Sequence, residues 1–550
     1  MKTTLNIFLL CLGFLLSNTL TAQTNYSVNL PSGQEVHNLY GNICCFFKIN
    51  VATDEAGNAY VLSEQTSDSS VWVTKYDANG NLIYNTHVQS SFTTDNRYFA
   101  KKIRVYDKVY VVTHTIFNFP NAPSQEYDVV YTLDKNTGVV DLVYSTFAVI
   151  PPYTSSELID VVQSGNVICM IGQTYSGSGP GSAKVQVQRS DLTWTGNVFI
   201  QGNNASTDYL LNTESTCFTY YNGALYMTGQ TSSSSGNFIL ITKLDVWGFW
   251  TEYMYQNPSY TVGGKGLSIA AEGNAVYVSG AMRAQTTKPF KATILKMDSS
   301  LTAPMWVSIN QKSEWPLAIQ LSSGNVIYTV DYALRVVGFS KTNGSQLFAK
   351  DDFKNYAQVY NQPISSVILS NNQLMFQASV GVKVNGNNTV NKVTAKYSTS
   401  GMKVYQQLES LSLISPGNPG NAEALGLAYS NTANYAVEVF RKYSSAGNLF
   451  YVNGRNTPTA LRVAAAQDGE EVSLSAFPNP VSEKFRVESD QKITHWTLVD
   501  ALGQQIFNRD ADNNAIEIDC TSLPSGMYFL NVMTEGEQMQ TQKLIVSHQK

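Results

Sequence analysis

Apolar and polar residues alternate along most of this chain in runs of about four to eight residues, the period-two pattern of half-buried β-strands. AYVLSEQ (59–65), VYVVTHT (109–115), ALYMTGQT (224–231), AVYVSG (275–280) and VIYTVD (326–331) are examples. Asn-Gly, Gly-Asn and Asn-Asn dipeptides separate the runs, and these supply the positive φ that two-residue hairpin turns require. The pattern predicts many short antiparallel strands.

The strands are organised by a phrase that recurs. KYDANGNLIY (75) is followed by YTLDKNTGVV (131), VQRSDLTWTG (187), KLDVWGFWTEY (243), KMDSSLTAPMW (296), FSKTNGSQLF (339), KYSTSGMKVY (396) and KYSSAGNLFY (442). The spacing, about 50 residues, is that of blades or solenoid units. A second phrase precedes most copies, as in EAGNAYVLSEQT (55–66) and AEGNAVYVSG (271–280), with an apolar strand ahead of it. One repeat therefore reads strand, hairpin turn, strand, loop, strand, Asp/Asn-Gly turn, strand. Four antiparallel strands per repeat make a propeller blade. The last repeat is compressed, and residues 25–42 are available to complete a ring-closing sheet, so seven or eight blades fit residues 25–456.

The couplet Asp54–Val61 with Lys75–Tyr84 resembles the bacterial β-propeller repeats found in tandem in secreted proteins. The resemblance spans roughly 40–455 and implies a fold rather than a chemistry.

Residues 1–22 have the layout of a secretory signal peptide: Lys2, the apolar stretch Ile7–Leu16, and the small-residue site Leu20-Thr21-Ala22. Residues 457–471 are rich in small and charged residues and read as a linker. From 472 to 550, alternating strands separated by PNP, ALG and LPSG turns are sized for a small Ig-like antiparallel β-sandwich. The expected fold is all-β: a seven- or eight-bladed β-propeller followed by that sandwich.

The terminal segment resembles the type A C-terminal sorting domain of the type IX secretion system of Bacteroidetes. The resemblance rests on Phe477-Pro478-Asn479-Pro480, on Asp500-Ala501-Leu502-Gly503-Gln504, on Leu523-Pro524-Ser525-Gly526-Met527-Tyr528 and on the tail Gln542–Val546. It implies Sec export, passage through the outer membrane by the type IX machinery, and removal of the sandwich in the linker by a sorting peptidase. Release or attachment at the cell surface would follow. Pro478 and Pro480 are expected to block strand addition at the leading edge, and Gly503 and Gly526 to permit tight turns.

Composition narrows the function classes. Only 14% of residues are charged, with a formal net charge of -5 and no basic run, which argues against a nucleic-acid partner. No stretch beyond the leader has the apolar length of a transmembrane helix. Cys44, Cys45, Cys169, Cys217 and Cys520 lack the spacing of a disulfide framework, and adjacent Cys44-Cys45 reads as two core thiols or a vicinal disulfide. His37, His87, His114, His495 and His548 form no metal-ligand pattern. No metal, cofactor or catalytic motif is expected. LDKNTGVV (133–140) has a likeness to quinoprotein dehydrogenase blades, but their Trp pattern is missing. Asp77-Ala78-Asn79-Gly80-Asn81 reads as an Asx-Gly turn in preference to a calcium loop.

Two candidate chemistries remain. Glu126, Asp128, Glu157, Asp160, Glu214, Asp351 and Asp352 are assigned to loops, where two carboxylates from different blades would converge as acid and base in a carbohydrate-active hydrolase. Trp247, Phe249, Trp250, Tyr253 and Tyr255, with Tyr153, Tyr175, Tyr209, Tyr260 and Tyr356 in loop-like stretches, offer aromatic anchors for a glycan or a protein. WGFW also reads as inter-blade core. Non-catalytic binding, with Trp247 and Trp250 as candidate contacts, is the favoured expectation.

Overall fold

The computed structural model describes residues 25–36, 50–88, 97–145, 155–175, 183–190, 197–200, 208–211, 217–358, 365–413, 423–456, 474–500 and 505–548, apart from gaps of one to three residues within them. No helix occurs among them, and the strands gather into eight four- or five-stranded antiparallel sheets and a separate terminal sheet. The inner, second, third and outer strands of the first blade are Gln34–Glu35 with Val51–Thr53, Ala59–Gln65, Val71–Tyr76 and Leu82–His87. The inner strands that follow are Arg97–Val105, Ser155–Ser164, Asp208–Leu211 with Phe218–Tyr221, Gly263–Glu272, Pro316–Leu321, Ala357–Gln358 with Ser365–Ile368, and Glu423–Ser430. Each blade packs on the next, and Glu423–Ser430 returns against Val51–Thr53, closing a ring of eight blades.

The eighth blade is assembled differently. Its first three strands are Glu423–Ser430, Tyr435–Ser444 and Gly447–Asn456, and its outer strand is the N-terminal Tyr26–Asn29, paired from Tyr26↔Gly454 to Asn29↔Tyr451. Seven copies of the phrase fall between the third and outer strands of their blades. The copy at 442 does not: it joins the second and third strands, with Ser444 opposite Gly447. The compression visible in the sequence is thus the loss of one strand from the last repeat, made good by the N-terminus.

The geometry explains why the phrase recurs. Its basic residue reaches the next blade's turn and donates to a main-chain carbonyl: Lys75 to Lys135 at 2.9 Å, Arg189 to Asp245 at 2.5 Å, Lys243 to Ser299 at 3.0 Å and Lys296 to Lys341 at 2.9 Å. The aromatic near its end covers the next turn's glycine, Tyr84 on Gly138, Trp306 on Gly344 and Phe348 on Gly401. A Cβ at Gly344 would stand 2.4 Å from the Trp306 ring, and the φ of +72° is one that L-residues rarely adopt. At the ring closure Tyr26 takes this aromatic role, lying on Gly80 of the first blade and on Gly454 of its own. The N-terminal strand therefore restores the packing position that the compressed repeat lacks.

In the terminal domain one long strand, Lys484–Asp500, changes partner midway, from Leu474–Phe477 to Gly526–Thr534, while Gln505–Asp519 follows it on the other side. Phe485, Val487, Trp496, Leu498, Leu530, Val532 and Leu544 form its core.

Candidate functional site

Among the described residues the inner strands carry a bulge in five blades, and the extra residue is Lys101, Ile159, Leu267, Leu317 or Leu425. Four blades bury an aliphatic side chain there; the second blade buries a lysine. A buried ammonium is costly unless paired and hydrogen-bonded. Lys101 Nζ lies 3.3 Å from Asp128, 3.3 Å from Glu157 of the third blade, and 2.6 Å from the Leu158 carbonyl. Asp128 also accepts from the Leu158 N–H at 2.6 Å and meets His114 Nδ1 at 3.1 Å. One residue further along, Lys102 lies 3.2 Å from Asp160, which also takes both arms of Arg104 at 3.1 and 2.6 Å.

The two carboxylates on Lys101 are pushed in opposite directions. Burial raises the Glu157 carboxyl, and the attraction of Lys101 offsets only part of the rise. Burial pushes Asp128 up as well, but Lys101 and His114 more than reverse it and hold the group below its usual range. Asp160 is lowered in the same way, with Arg104 and Lys102 overcoming burial. Opposed ionisation is the signature of an acid–base pair. Here, however, the ammonium stands between the carboxylates, and Asp128 is fully engaged in joining the second blade to the third.

The loop assignment is overturned for Asp128, Glu157 and Asp160 and holds for Asp351 and Asp352, which follow strand Gln346–Lys350. Asp128 lies in strand Ala122–Leu133, and Glu157 and Asp160 lie in Ser155–Ser164. Asp351 pairs with Arg335 at 2.8 Å, and Asp352 accepts from the Tyr397 hydroxyl at 2.7 Å. The Glu126 side chain and residue Glu214 lie outside the described residues. Asp77 caps its turn, accepting from the N–H groups of Asn79 and Asn81 at 2.8 Å each. Among the described residues no His/Cys/Asp/Glu cluster is arranged to hold a metal. Cys169 and Cys217 are free thiols in one core cluster, and Cys44-Cys45 lies outside the described residues.

The aromatic segment divides. Trp250 opens strand Trp250–Tyr255 and packs against the core between the third and fourth blades. Tyr253, Tyr255 and Tyr260 are likewise partly buried. Trp247 and Phe249, in the turn before that strand, are 81% and 71% exposed. Their backbone is fixed, since both N–H groups donate to Asp245 Oδ1 at 2.9 Å. Residues Tyr153 and Tyr356 and the side chains of Tyr175 and Tyr209 lie outside the described residues.

In the terminal domain Asn479, between Pro478 and Pro480, does the work of a strand edge. Its side chain donates to the Lys543 carbonyl at 2.7 Å and accepts from the Ile545 N–H at 2.9 Å, so the PNP turn covers part of the last strand. Leu523 and Tyr528 are buried, and the Tyr528 hydroxyl donates to the Pro524 carbonyl at 2.9 Å. Gly526 departs from expectation: it begins a strand, and the nearest atom to an added Cβ is 3.8 Å away, so its backbone does not need glycine. Gly503 lies outside the described residues.

Residues 475–547 match the family described as the Secretion system C-terminal sorting domain. The chain carries this domain, which marks its bearer for export through the type IX secretion system. No curated protein matches the chain in sequence. Solved structures similar to it include the Dos1 propeller, 10% identical with a TM-score of 0.44, covering 78% of this chain and 93% of that one. BamB from Moraxella catarrhalis is 11% identical with a TM-score of 0.39, covering 80% and 98%. The C-terminal WD40 domain of Sif2 is 10% identical with a TM-score of 0.40, covering 75% and 99%.

Proposed function

We propose that the chain is a Bacteroidetes protein, led out by the signal peptide 1–22 and delivered by its sorting domain to the cell surface or the medium. The sorting peptidase cuts within 457–471, and the propeller then acts as a non-catalytic binding module for a glycan or a protein. The exposed turn Trp247–Phe249 carries this reading, because large aromatic side chains on a pre-fixed backbone suit stacking and anchoring with little ordering cost. The engagement of Asp128, Asp160 and Asp351 in ion pairs speaks against the hydrolase alternative for those groups.

Two experiments test the proposal. Purified protein is incubated with a panel of polysaccharides and peptides: retention of uncleaved ligand, lost in Trp247→Ala, supports binding, and released products overturn it. In a type IX-competent host, deletion of 472–550 is expected to leave the propeller in the cell envelope; unchanged surface delivery would overturn the sorting role.

A further inference from the structure

The connections between second and third strands, and those from one blade to the next, lie on the face of the ring opposite the turn that carries Trp247, because each blade is an antiparallel sheet. On that face, residues 284–290 join Ala275–Arg283 to Lys291–Asp298 in the fifth blade, and residues 311–315 lead from Pro304–Asn310 to the sixth. Aromatic rings and cations meet there. The Arg283 guanidinium lies over the Phe290 ring, 4.7 Å from its centroid, and Phe290 packs against Trp315 with centroids 4.3 Å apart. Lys291 donates to the Gln311 carbonyl at 2.6 Å, and the Gln311 amide donates to the Tyr260 hydroxyl at 2.9 Å. Phe290, Trp315 and Tyr260 all keep part of their surface in solvent.

The positive charge here is uncompensated. Among the described residues none of Arg283, Lys288, Lys291 and Lys312 pairs with a carboxylate; Arg283 Nη1 donates to the Thr286 carbonyl at 3.3 Å, and Lys288 and Lys312 are exposed. Asp331, at the border, is buried and accepts from the Ser313 hydroxyl at 2.7 Å and the Arg335 N–H at 2.8 Å, while Arg335 is taken by Asp351 at 2.8 Å. Glu314 lies outside the described residues. On a chain of net charge -5 this surface is a local reversal of sign that draws anions. Exposed lysines alone attract any polyanion. An arginine laid flat on an aromatic ring presents its N–H edge in a fixed direction, suited to a carboxylate, and the neighbouring indole offers an apolar face to the C–H face of a sugar.

We propose that this surface is a second binding site, for an acidic polysaccharide: a uronate carboxylate meets Arg283 and Lys291 while its pyranose ring rests on Trp315. Trp247 lies on the other face, so either site stands or fails without the other.

The full chain is titrated at low ionic strength, where surface charge is least screened, with polygalacturonate, with its fully methyl-esterified form and with polyglutamate. Polygalacturonate is expected to bind about tenfold more tightly than either of the others. Lys288→Gln combined with Lys312→Gln changes exposed side chains only, and is expected to weaken binding several-fold at an unchanged thermal midpoint. Trp315→Ala is expected to weaken it on the order of tenfold. Lys484→Gln combined with Lys492→Gln, on the terminal domain, removes the same charge and should leave binding unchanged. Absence of polygalacturonate binding, equal affinity for the methyl ester, or an equal loss from the two lysine pairs overturns the proposal. Equal affinity for polyglutamate overturns it as well, in favour of a surface for polyanions in general.

Discussion

The seam between the second and third blades and the seam between the fifth and sixth solve one packing problem in two ways. At the first, Lys101, Lys102 and Arg104 cross to Glu157 and Asp160 close to the inner strands, and Lys101 also pairs with Asp128 of its own blade. At the second the inner bulges hold Leu267 and Leu317, and among the described residues only neutral hydrogen bonds cross near the inner strands, Ile319 N–H to Ser268 Oγ at 3.3 Å and the Ser279 hydroxyl to the Pro316 carbonyl at 3.0 Å. The cations lie further out, where Lys296 and the Trp306 Nε1–H both donate to the Lys341 carbonyl and Lys341 pairs with Glu272. An apolar seam fits any neighbour of suitable shape. The charged seam accepts only a neighbour presenting acids at the matching register, so its buried ions supply blade order more than net stability.

Breaking the charged seam from one side has the largest expected effect. Lys101→Ala leaves Asp128 and Glu157 buried with their shared cation gone, and a loss of about 3–5 kcal/mol is expected. Leu317→Ala removes the equivalent apolar key at a cost of about 2–5 kcal/mol, set by the cavity left behind. Denaturant unfolding of the two variants compares the seams directly. If Lys101→Ala costs less than about 1 kcal/mol, the ions are ornamental and the reading of the seam fails.

Acid separates the seams more cleanly, because the carboxylates of the first are buried, whereas Glu272, paired with Lys341 across the second, is exposed. Asp128 and Asp160 have lowered folded pKa values, so their contribution is complete above the ordinary carboxylate value and is lost as pH falls through the folded values. Glu157 is raised and has the opposite sign: its contribution stands at low pH and is lost as pH rises through its folded value. Asp160→Asn should therefore be less stable than the parent at neutral pH, with the gap narrowing as pH falls below the ordinary carboxylate value of about 3.9. The deficit of Leu317→Ala should stay constant over that range. A constant gap for Asp160→Asn would show that its carboxylate is not held down by Lys102 and Arg104.

The outer contacts give a smaller effect. Gly344→Ala must place a methyl group against Trp306 at a left-handed φ, and about 1–3 kcal/mol is expected. Gly324→Ala is a control, since the nearest atom to its Cβ is 3.8 Å away. Equal thermal midpoints for the two variants would remove the aromatic-on-glycine contact from the account of why the phrase recurs.

Strand alternation, turn dipeptides and the repeat were legible in the sequence because each is a local requirement repeated around the ring. The origin of the closing strand was visible only as an available segment, since Tyr26 acquires its role from a partner more than 400 residues away. The charged seam went unread for a related reason. Asp128, Glu157 and Asp160 look like surface charge when taken singly, and the informative signal lies between repeats. Aligned at the bulge, AKKIRV, LIDVVQ, GLSIAA, PLAIQL and ALGLAY put Lys101 in a column otherwise filled by Ile159, Leu267, Leu317 and Leu425. A cation in an aliphatic column predicts acids on the neighbouring strands. The aromatic segment shows the limit of local reading, because WGFW contains both a packed Trp250 and an exposed Trp247, and only the turn set by Asp245 separates them.

The smallest expected stability change is the most informative about function. Trp247 is exposed and its backbone is held by Asp245 whatever the side chain, so Trp247→Ala should move the unfolding midpoint by an amount within about 0.5 kcal/mol. Trp250→Ala should cost about 3–5 kcal/mol at most, because that ring packs against the core between the third and fourth blades. Measured side by side, one variant is expected to lose ligand retention at unchanged stability and the other to lose stability first. Should Trp247→Ala destabilise the propeller as much as Trp250→Ala does, the exposed turn belongs to the inter-blade packing. The binding surface would then have to be sought on another face of the ring.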